Sequence, residues 1–460
     1  MKKKAMNLSV KMALALVLGI ICGIGMILVR EQMTAAGNTE AWASINRLLF
    51  ADISAAGNEQ SIGLFYLVGQ LFIRALQLVI IPMVFTSIVL AMLTISDSRR
   101  LGKISGKTLG YFLITTVISI ILAACVGMLA YKGGAFTNSE LALEGAAGST
   151  ASNPLMIILN AVPNNFAAAM TNNGGVLAAV VLAVAVGLCI NSAPDKYPTL
   201  PKLCREISDL ITVFLSFIVN KFGPVAIFCL ITRTCASYGI SYLRPAANYM
   251  ILTTALLLLV LTAGYALFVK ITAGVNPMNF VRKIARVAMF GFSTSSSAAT
   301  LPLNMDCTTK QLGVSDEIAS FVLPLGMTVN MDGTAIMQVI AALFIAGCAG
   351  YQVTLPTLVL IGLLAIIASI GTPAAPGAGA VILFTILSGV GFVNETALSV
   401  YALILAINRP IEMLVTALNV VGDSACAMAV AKSENALDLD VYNAQEEKTA
   451  KDLHTKPSAL

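Results

Sequence analysis

The chain has 460 residues, of which 58% are hydrophobic and 11% charged, with a mean hydropathy of +0.87. No water-soluble core buries that share of apolar surface, so the composition excludes a soluble globular domain and specifies a polytopic membrane protein. The net charge of +5 is no argument for a nucleic-acid partner, because Lys and Arg concentrate in the connections between apolar runs, where membrane topology puts them.

Met1 to Lys4 is a basic head before an apolar run from about Leu8 to Leu28. That run is long for a signal-peptide core and has no evident small-residue cleavage site, so it reads as a retained first span. Residues 30–60 are polar, and a second span follows from about Ile62 to Thr94, closing on Arg99, Arg100, Lys103 and Lys107. A third covers about Thr108 to Ala130. A Gly, Ser and Asn-rich loop leads to the segment Asn153 to Ile190, which VPNNF and TNNGG interrupt, so it is expected to be helical in pieces. Lys196, Lys202 and Arg205 precede a fifth span reaching about Ile231. A sixth runs from about Ala247 to Ile271, beside Lys270, Arg282, Lys283 and Arg286. Alternating the sides puts these clusters and both termini in the cytoplasm, here the cytoplasmic side of a cell's inner membrane. The tail beyond Lys432 has a disordered composition. The nine cysteines, such as Cys22, Cys125, Cys229 and Cys426, sit in apolar runs without a C-x-x-C pair and read as small buried hydrophobes.

From Asn276 onward the pattern changes. FGFSTSSSAATLP (290–302) and SIGTPAAPGAGA (369–380) are rich in small residues and turn formers, each between apolar arms too short to span. They read as tips of two re-entrant hairpins. A helical run with an Asn and Asp motif follows each: Asn330-Met-Asp-Gly-Thr334, then Asn419-Val-Val-Gly-Asp423. Gly333 and Gly422 mark the expected breaks. Duplicated hairpin-plus-helix units with interrupted helices point to a transporter site near the bilayer midplane, where freed carbonyls coordinate cations. In the stretch Ile404 to Lys432, residues Asn408, Glu412, Thr416, Asn419 and Asp423 fall within roughly 80° of one helix face. Ionisable groups at that depth mark an ion or substrate path.

SSSAATLP, PLGMTVNMDGTA, SIGTPAAPGAGA and NVVGD, with TLGYFLITT (108–116) and FGPVAIF (222–228), resemble in order and spacing the glutamate transporter family, the dicarboxylate or amino acid to cation symporters. The resemblance implies an all-α fold of eight transmembrane helices plus two re-entrant helical hairpins in inverted repeats, assembled as a homotrimer with an elevator-type mechanism. It implies scaffold spans over 1–100 and 133–236, a transport domain from 101–132, 237–275 and 276–432, and a cytoplasmic tail over 433–460.

For the cations, the resemblance implies one Na+ on Asp423 with backbone oxygens of Gly326, Asn330 and Asn419. A second would use Asp332, the Asn330 side chain, Thr115, Thr116 and the Phe112 carbonyl, and a third the carbonyls of Thr328, Ser369, Ile370 and Thr372. Hard cations favour such oxygen sets. H+ coupled through the same carboxylates is the alternative. For the substrate, the resemblance implies that Glu412 meets the amino group and that Ser297, beside Ser296, meets the carboxylate together with Asn419. Thr334, Thr416 and the Ala375 to Gly379 backbone complete the pocket. Where relatives carry an arginine for an acidic side chain, this chain has Val415, and at the alternative arginine position it has Ser295. A buried carboxylate without a bidentate partner is costly, so the expected substrate is a small neutral amino acid. The alternative is a glutamate, aspartate or C4-dicarboxylate symporter using Arg409, which lies roughly 9 Å along the helix from Val415. Arg409 otherwise snorkels to the interface or pairs with an acid, and Pro410 permits a kink.

Other classes are excluded or left as competitors by specific residues. A serine hydrolase lacks its base, since the lone histidine is His454 in the polar tail. The P-G-A-G-A turn is too short for a dinucleotide loop. A passive channel remains the competitor, and differs in predicting flux insensitive to a sodium gradient.

Overall fold

The computed structural model describes residues 8–54, 57–95, 102–137, 162–171, 176–238, 243–370, 372 and 377–444. The basic head, Arg99, Arg100, most of the Gly, Ser and Asn-rich loop, the start of the 153–190 segment, Ala375 and the tail with His454 lie outside the described residues.

Within them, helices carry the fold, and the strand-like pairing present is an isolated bridge between Val314 and Leu437. Seven helical stretches are long and apolar enough to cross a membrane. The expected fourth span is not among them, because its described parts are short pieces, Phe166–Thr171 and Val176–Ser192, on either side of the TNNGG interruption.

One set of helices comprises α1 (Leu8–Ala35), α2 (Thr39–Leu49), α3 (Leu64–Leu78), α4 (Ile80–Ile95), α6 and α7 (the two pieces just named), α8 (Thr199–Phe217) and α9 (Gly223–Tyr238). Here α1 packs on α9, α4 on α7 and α8, and α3 on α9. The second set gathers round two helices. The α5 helix (Gly102–Lys132) packs on α15 (Asp332–Ala349), and α10 (Leu243–Leu259), α11 (Tyr265–Ala273) and α12 (Pro277–Thr294) pack on α15 or on α19 (Arg409–Ser433). These two are unusual membrane helices. Every residue of α15 is buried, as is 89% of the apolar window of α19, against 17% for α1. Their polar side chains therefore face protein.

A helix pair flanks each of the two small-residue stretches. In the first, α12 and α13 (Ser297–Lys310) meet at Ser295, which adopts a left-handed φ of 49°, while the Ser296 hydroxyl caps α13 by accepting from the Ala299 amide. In the second, α16 (Leu355–Ile370) packs on α17 (Ala378–Val390), which starts after Gly377 at φ 87°. At 14 and 13 residues, α13 and α17 reach only about 20 Å, well short of a bilayer core of about 30 Å.

Helix breaks fall elsewhere than the glycines suggested. The chain unwinds at Asn330 and Met331, between α14 (Asp316–Val329) and α15, and Gly333 already lies in the helix. The α19 helix runs unbroken through Gly422. There the absence of a side chain admits another group, since a Cβ would collide with the Tyr265 hydroxyl. The polar stripe is instead split at Asn408, between α18 (Glu395–Ile407) and α19, with Pro410 in the first turn of the new helix, where its missing N–H costs nothing. A π turn over Ile218–Phe222 ahead of Pro224 likewise absorbs a lost donor.

Beyond α19 the chain turns back as a strap ending in α20 (Leu439–Asn443). Lys283 of α12 donates to the carbonyls of Gln311 at 3.0 Å, Val441 at 3.2 Å and Tyr442 at 2.7 Å. The Tyr442 hydroxyl donates to the Asn276 carbonyl at 2.7 Å, the Asp438 amide to Gly313 at 2.8 Å, and Lys107 pairs with Glu434. The strap thus ties the ends of α5, α12, α13 and α14.

Candidate functional site

The site begins where α14 stops. A helix that ends inside protein leaves its last carbonyls without intrahelical partners, and in α14 this last turn runs from Gly326 to Val329. Asn330, fully buried, follows. Its Nδ2 donates to Asp423 Oδ1 at 3.1 Å, and its Oδ1 accepts from Thr115 Oγ1 at 3.2 Å. Thr115 also donates to the Phe112 carbonyl at 3.1 Å. Gly326 lies against the Asp423 carboxylate so closely that no Cβ would fit. One carboxylate, one side-chain amide and a hydroxyl thus meet from α19, the turn after α14, and α5.

A second carboxylate lies one residue beyond the break. Asp332, with no exposed surface, accepts from Thr116 Oγ1 at 2.6 Å and from the Tyr265 hydroxyl at 2.8 Å. Among the described residues neither Asp332 nor Asp423 has an ion-pair partner, which is rare for buried carboxylates. The donor set of oxygens suits a hard monovalent cation, with the carboxylates supplying charge. The third expected set is assembled in part. Ser369 and Ile370 end α16, which packs on α14, and Thr372 donates its amide to Ser369 O at 3.1 Å and its hydroxyl to Ala368 O at 2.8 Å.

Thr334, Val415 and Asn419 of the expected substrate residues lie together beside these carboxylates. The Asn419 Oδ1 accepts from the Gly333 amide at 2.8 Å, and its Nδ2 donates to Thr334 Oγ1 at 3.3 Å. A Cβ on Gly333 would stand 3.0 Å from the Val415 carbonyl, so the first turn of α15 rests on residues 415–419. Val415 is buried, and Thr416 donates to the Glu412 carbonyl at 3.0 Å. Ser297 is buried at the first tip, and the Asn304 Nδ2 of the same hairpin donates to the Val420 carbonyl at 2.9 Å, holding the hairpin to α19. Gly379 completes the wall opposite Thr334.

Arg409 does not snorkel. Its Nη1 stands 3.4 Å from Glu412 Oε2, and both side chains are mostly buried, at 13% and 12% exposure. Tyr265, Tyr249 and Gln338 escaped the sequence reading. Gln338 lies four residues beyond Thr334, a helical spacing that shares its face. Tyr249 donates to Asn408 Oδ1 at 2.7 Å. No local pattern marks the two tyrosines, which lie in spans that read as plain apolar runs.

Two unpaired buried carboxylates, a serine-tipped hairpin and an unwound helix on one cluster define a membrane carrier of the ion-coupled kind. The chain belongs to the sodium:dicarboxylate symporter family, whose model matches residues 8–433. It is 28% identical over 449 residues to the proton/glutamate-aspartate symporter of Escherichia coli (strain K12), covering 95% of each chain. It is 26% identical to an excitatory amino acid transporter of Caenorhabditis elegans, covering 82% of each. It is also 26% identical to the L-cystine uptake protein TcyP of Bacillus thuringiensis (strain Al Hakam), over 84% of this chain and 85% of that one. The protein is therefore a multi-pass membrane symporter for amino acids or dicarboxylates, coupled to a cation, and not an enzyme.

Proposed function

We propose that the protein couples inward flow of Na+ to uptake of a small neutral amino acid across a cell's inner membrane. The observation that carries the coupling is the pair of buried carboxylates without an ion-pair partner among the described residues, Asp332 met by two hydroxyls and Asp423 by the Asn330 amide. Such groups persist at bilayer depth when a cation answers them. The neutral substrate is supported by Val415 where a side-chain-binding arginine would stand, and by Arg409 being answered already by Glu412. In this reading the substrate ammonium meets Glu412, and its carboxylate meets Ser296, Ser297 and Asn419. The helices from 101–132, 237–275 and 276–432 move as one unit against the rest in a homotrimer.

Purified protein in proteoliposomes with an inward Na+ gradient tests this. Labelled neutral amino acid should accumulate above the external level and leak out when the gradient is collapsed. Uptake indifferent to Na+ would leave a passive channel, and uptake driven by a pH gradient alone would make the ion H+. The relatives named for glutamate and aspartate favour a second reading, in which Arg409 leaves Glu412 to meet an acidic substrate. Competition by aspartate at or below the concentration needed for serine would establish it.

A further inference from the structure

Away from the candidate site, a groove of about 720 Å³ runs between α5 and α16, with Ile121, Cys125 and Leu129 on one wall, Val359 and Leu363 on the other and Lys132 at one end. Every residue that lines it except Lys132 is uncharged. Its floor is closed because Gly362 lets the two helices touch, a Cβ there standing 3.1 Å from Ile120 Cγ2. Its walls open outward, with Leu129 and Val359 exposed at 73% and 64%. On two apolar membrane helices that opening meets the hydrocarbon of the bilayer, whose volume of about 300–1,000 Å³ per site is ample for a small amphiphile.

Length and charge both point to a lipid. Ile120 and Lys132, the first and last lining residues on α5, are separated by about 18 Å of helix axis, close to the depth of one leaflet at about 15 Å. Lys132 is the last residue of α5, so its end of the groove lies where the helix leaves the apolar layer. The Tyr131 hydroxyl donates to the Tyr351 carbonyl at 2.7 Å and accepts from the Val353 amide at 3.4 Å, which holds this end of α5 to the connection that opens α16. The positive end of the α16 dipole therefore lies at the same mouth as the lysine. Lys132 is exposed and has no ion-pair partner among the described residues.

We propose that this groove binds an anionic phospholipid, one acyl chain lying along it from Lys132 toward Ile120 and the headgroup phosphate meeting the Lys132 ammonium. The apolar walls accept the chain of any lipid, and the unpaired lysine supplies the preference for a net negative head, since a zwitterionic head brings a cation along with its phosphate. The site stands whichever ion and substrate the carrier takes, because it shares no residue with their cluster. One wall is the arm of the second hairpin that ends at Ser369 and Ile370, so the lipid touches that hairpin from the membrane side.

Photolabelling with peptide mapping tests this on the full chain in phosphatidylcholine vesicles, doped with phosphatidylglycerol or phosphatidylcholine that carries a diazirine in its acyl chain. At equal mole fraction, the phosphatidylglycerol probe should label residues 120–132 and 355–366 about fivefold more than the phosphatidylcholine probe, the worth of one lysine facing an anionic lipid. The excess should shrink as choline chloride raises the ionic strength. Lys132→Gln should bring the two probes level and Lys132→Arg should keep them apart. Val359→Trp, whose ring fills the groove from an exposed position, should lower labelling by both. Equal labelling of wild type by the two probes would overturn the anionic site, as would an excess that survives Lys132→Gln. Labelling by neither probe would show the groove covered by protein, such as a second copy of this chain, and would overturn it too. The wild-type comparison decides the matter even where a variant fails to fold.

Discussion

The Asn330 side chain donates to the Asp423 carboxylate at 3.1 Å, across 93 positions of sequence. That bond joins the unwound end of α14 to the middle of α19 and holds the Asp423 carboxylate at the point where α14 stops. It makes the break and the carboxylate one device.

Asp423→Asn and Asp332→Asn should each lower Na+-driven uptake by at least about tenfold, because each removes the charge that offsets dehydration of the ion. Initial rates measured against external Na+ check this. Retained rates with an unchanged Na+ dependence would move the cations elsewhere.

Tyr265 and Gly422 should be energetically coupled. Gly422→Ala drives a methyl into the Tyr265 hydroxyl and should lower the detergent melting temperature by several degrees, through overpacking of about 1–3 kcal/mol. Tyr265→Leu removes both the oxygen and the ring carbon Cζ that would stand 2.7 Å from the methyl, and so the double variant should lose less than the sum of the two single losses. Additive losses would contradict the packing.

Under the proposed coupling, sodium binds the folded site and not the unfolded chain, and so should stabilise the protein by mass action. The melting temperature should rise with NaCl and stay flat with choline chloride at equal ionic strength. In Asp423→Asn the rise should shrink.

Val415→Arg should turn preference toward acidic substrates, with aspartate gaining about tenfold or more relative to serine in competition, because a bidentate partner then awaits a carboxylate. The Arg409 and Glu412 pair would be disturbed by the new charge, so Val415→Lys, which lacks the fork, should gain less.

The strap can be loosened without touching the site. Lys283→Met strands three carbonyls and Tyr442→Phe one. Losses of about 1–3 kcal/mol and about 1 kcal/mol are expected, read as lower melting temperatures in that order.

Much of the membrane architecture was legible because Gly, Pro and Ser act locally. The serine tip at 295–297 is written in residues that set backbone conformation, whereas the Asn330 motif marked the region of a break that falls at Asn330 and Met331 and not at Gly333. The carboxylates were legible because charges are rare in apolar runs. Gly422 misled, since a glycine inside a helix gives one signal for a break and for a close neighbour, and only Tyr265 some 157 positions away distinguishes them. Arg409 was ambiguous for the same reason: its partner Glu412 lies within reach on the helix surface, but whether that surface is wet or buried depends on α10, α17 and α18 folding over it.

The strap also fixes an order of events. Lys283 and the Tyr442 carbonyl that it bonds are 159 positions apart, and chains emerge from the ribosome N-terminus first. When α12 is made, the carbonyls of Val441 and Tyr442 do not yet exist, and they appear only after the last residue of α19 has been added. The first hairpin therefore forms with its basal lysine incompletely solvated by protein until Val441 and Tyr442 have been made. Closure of this base follows synthesis of α19, so a chain truncated just after Ser433 would keep the helices up to α19 yet leave that base unsealed.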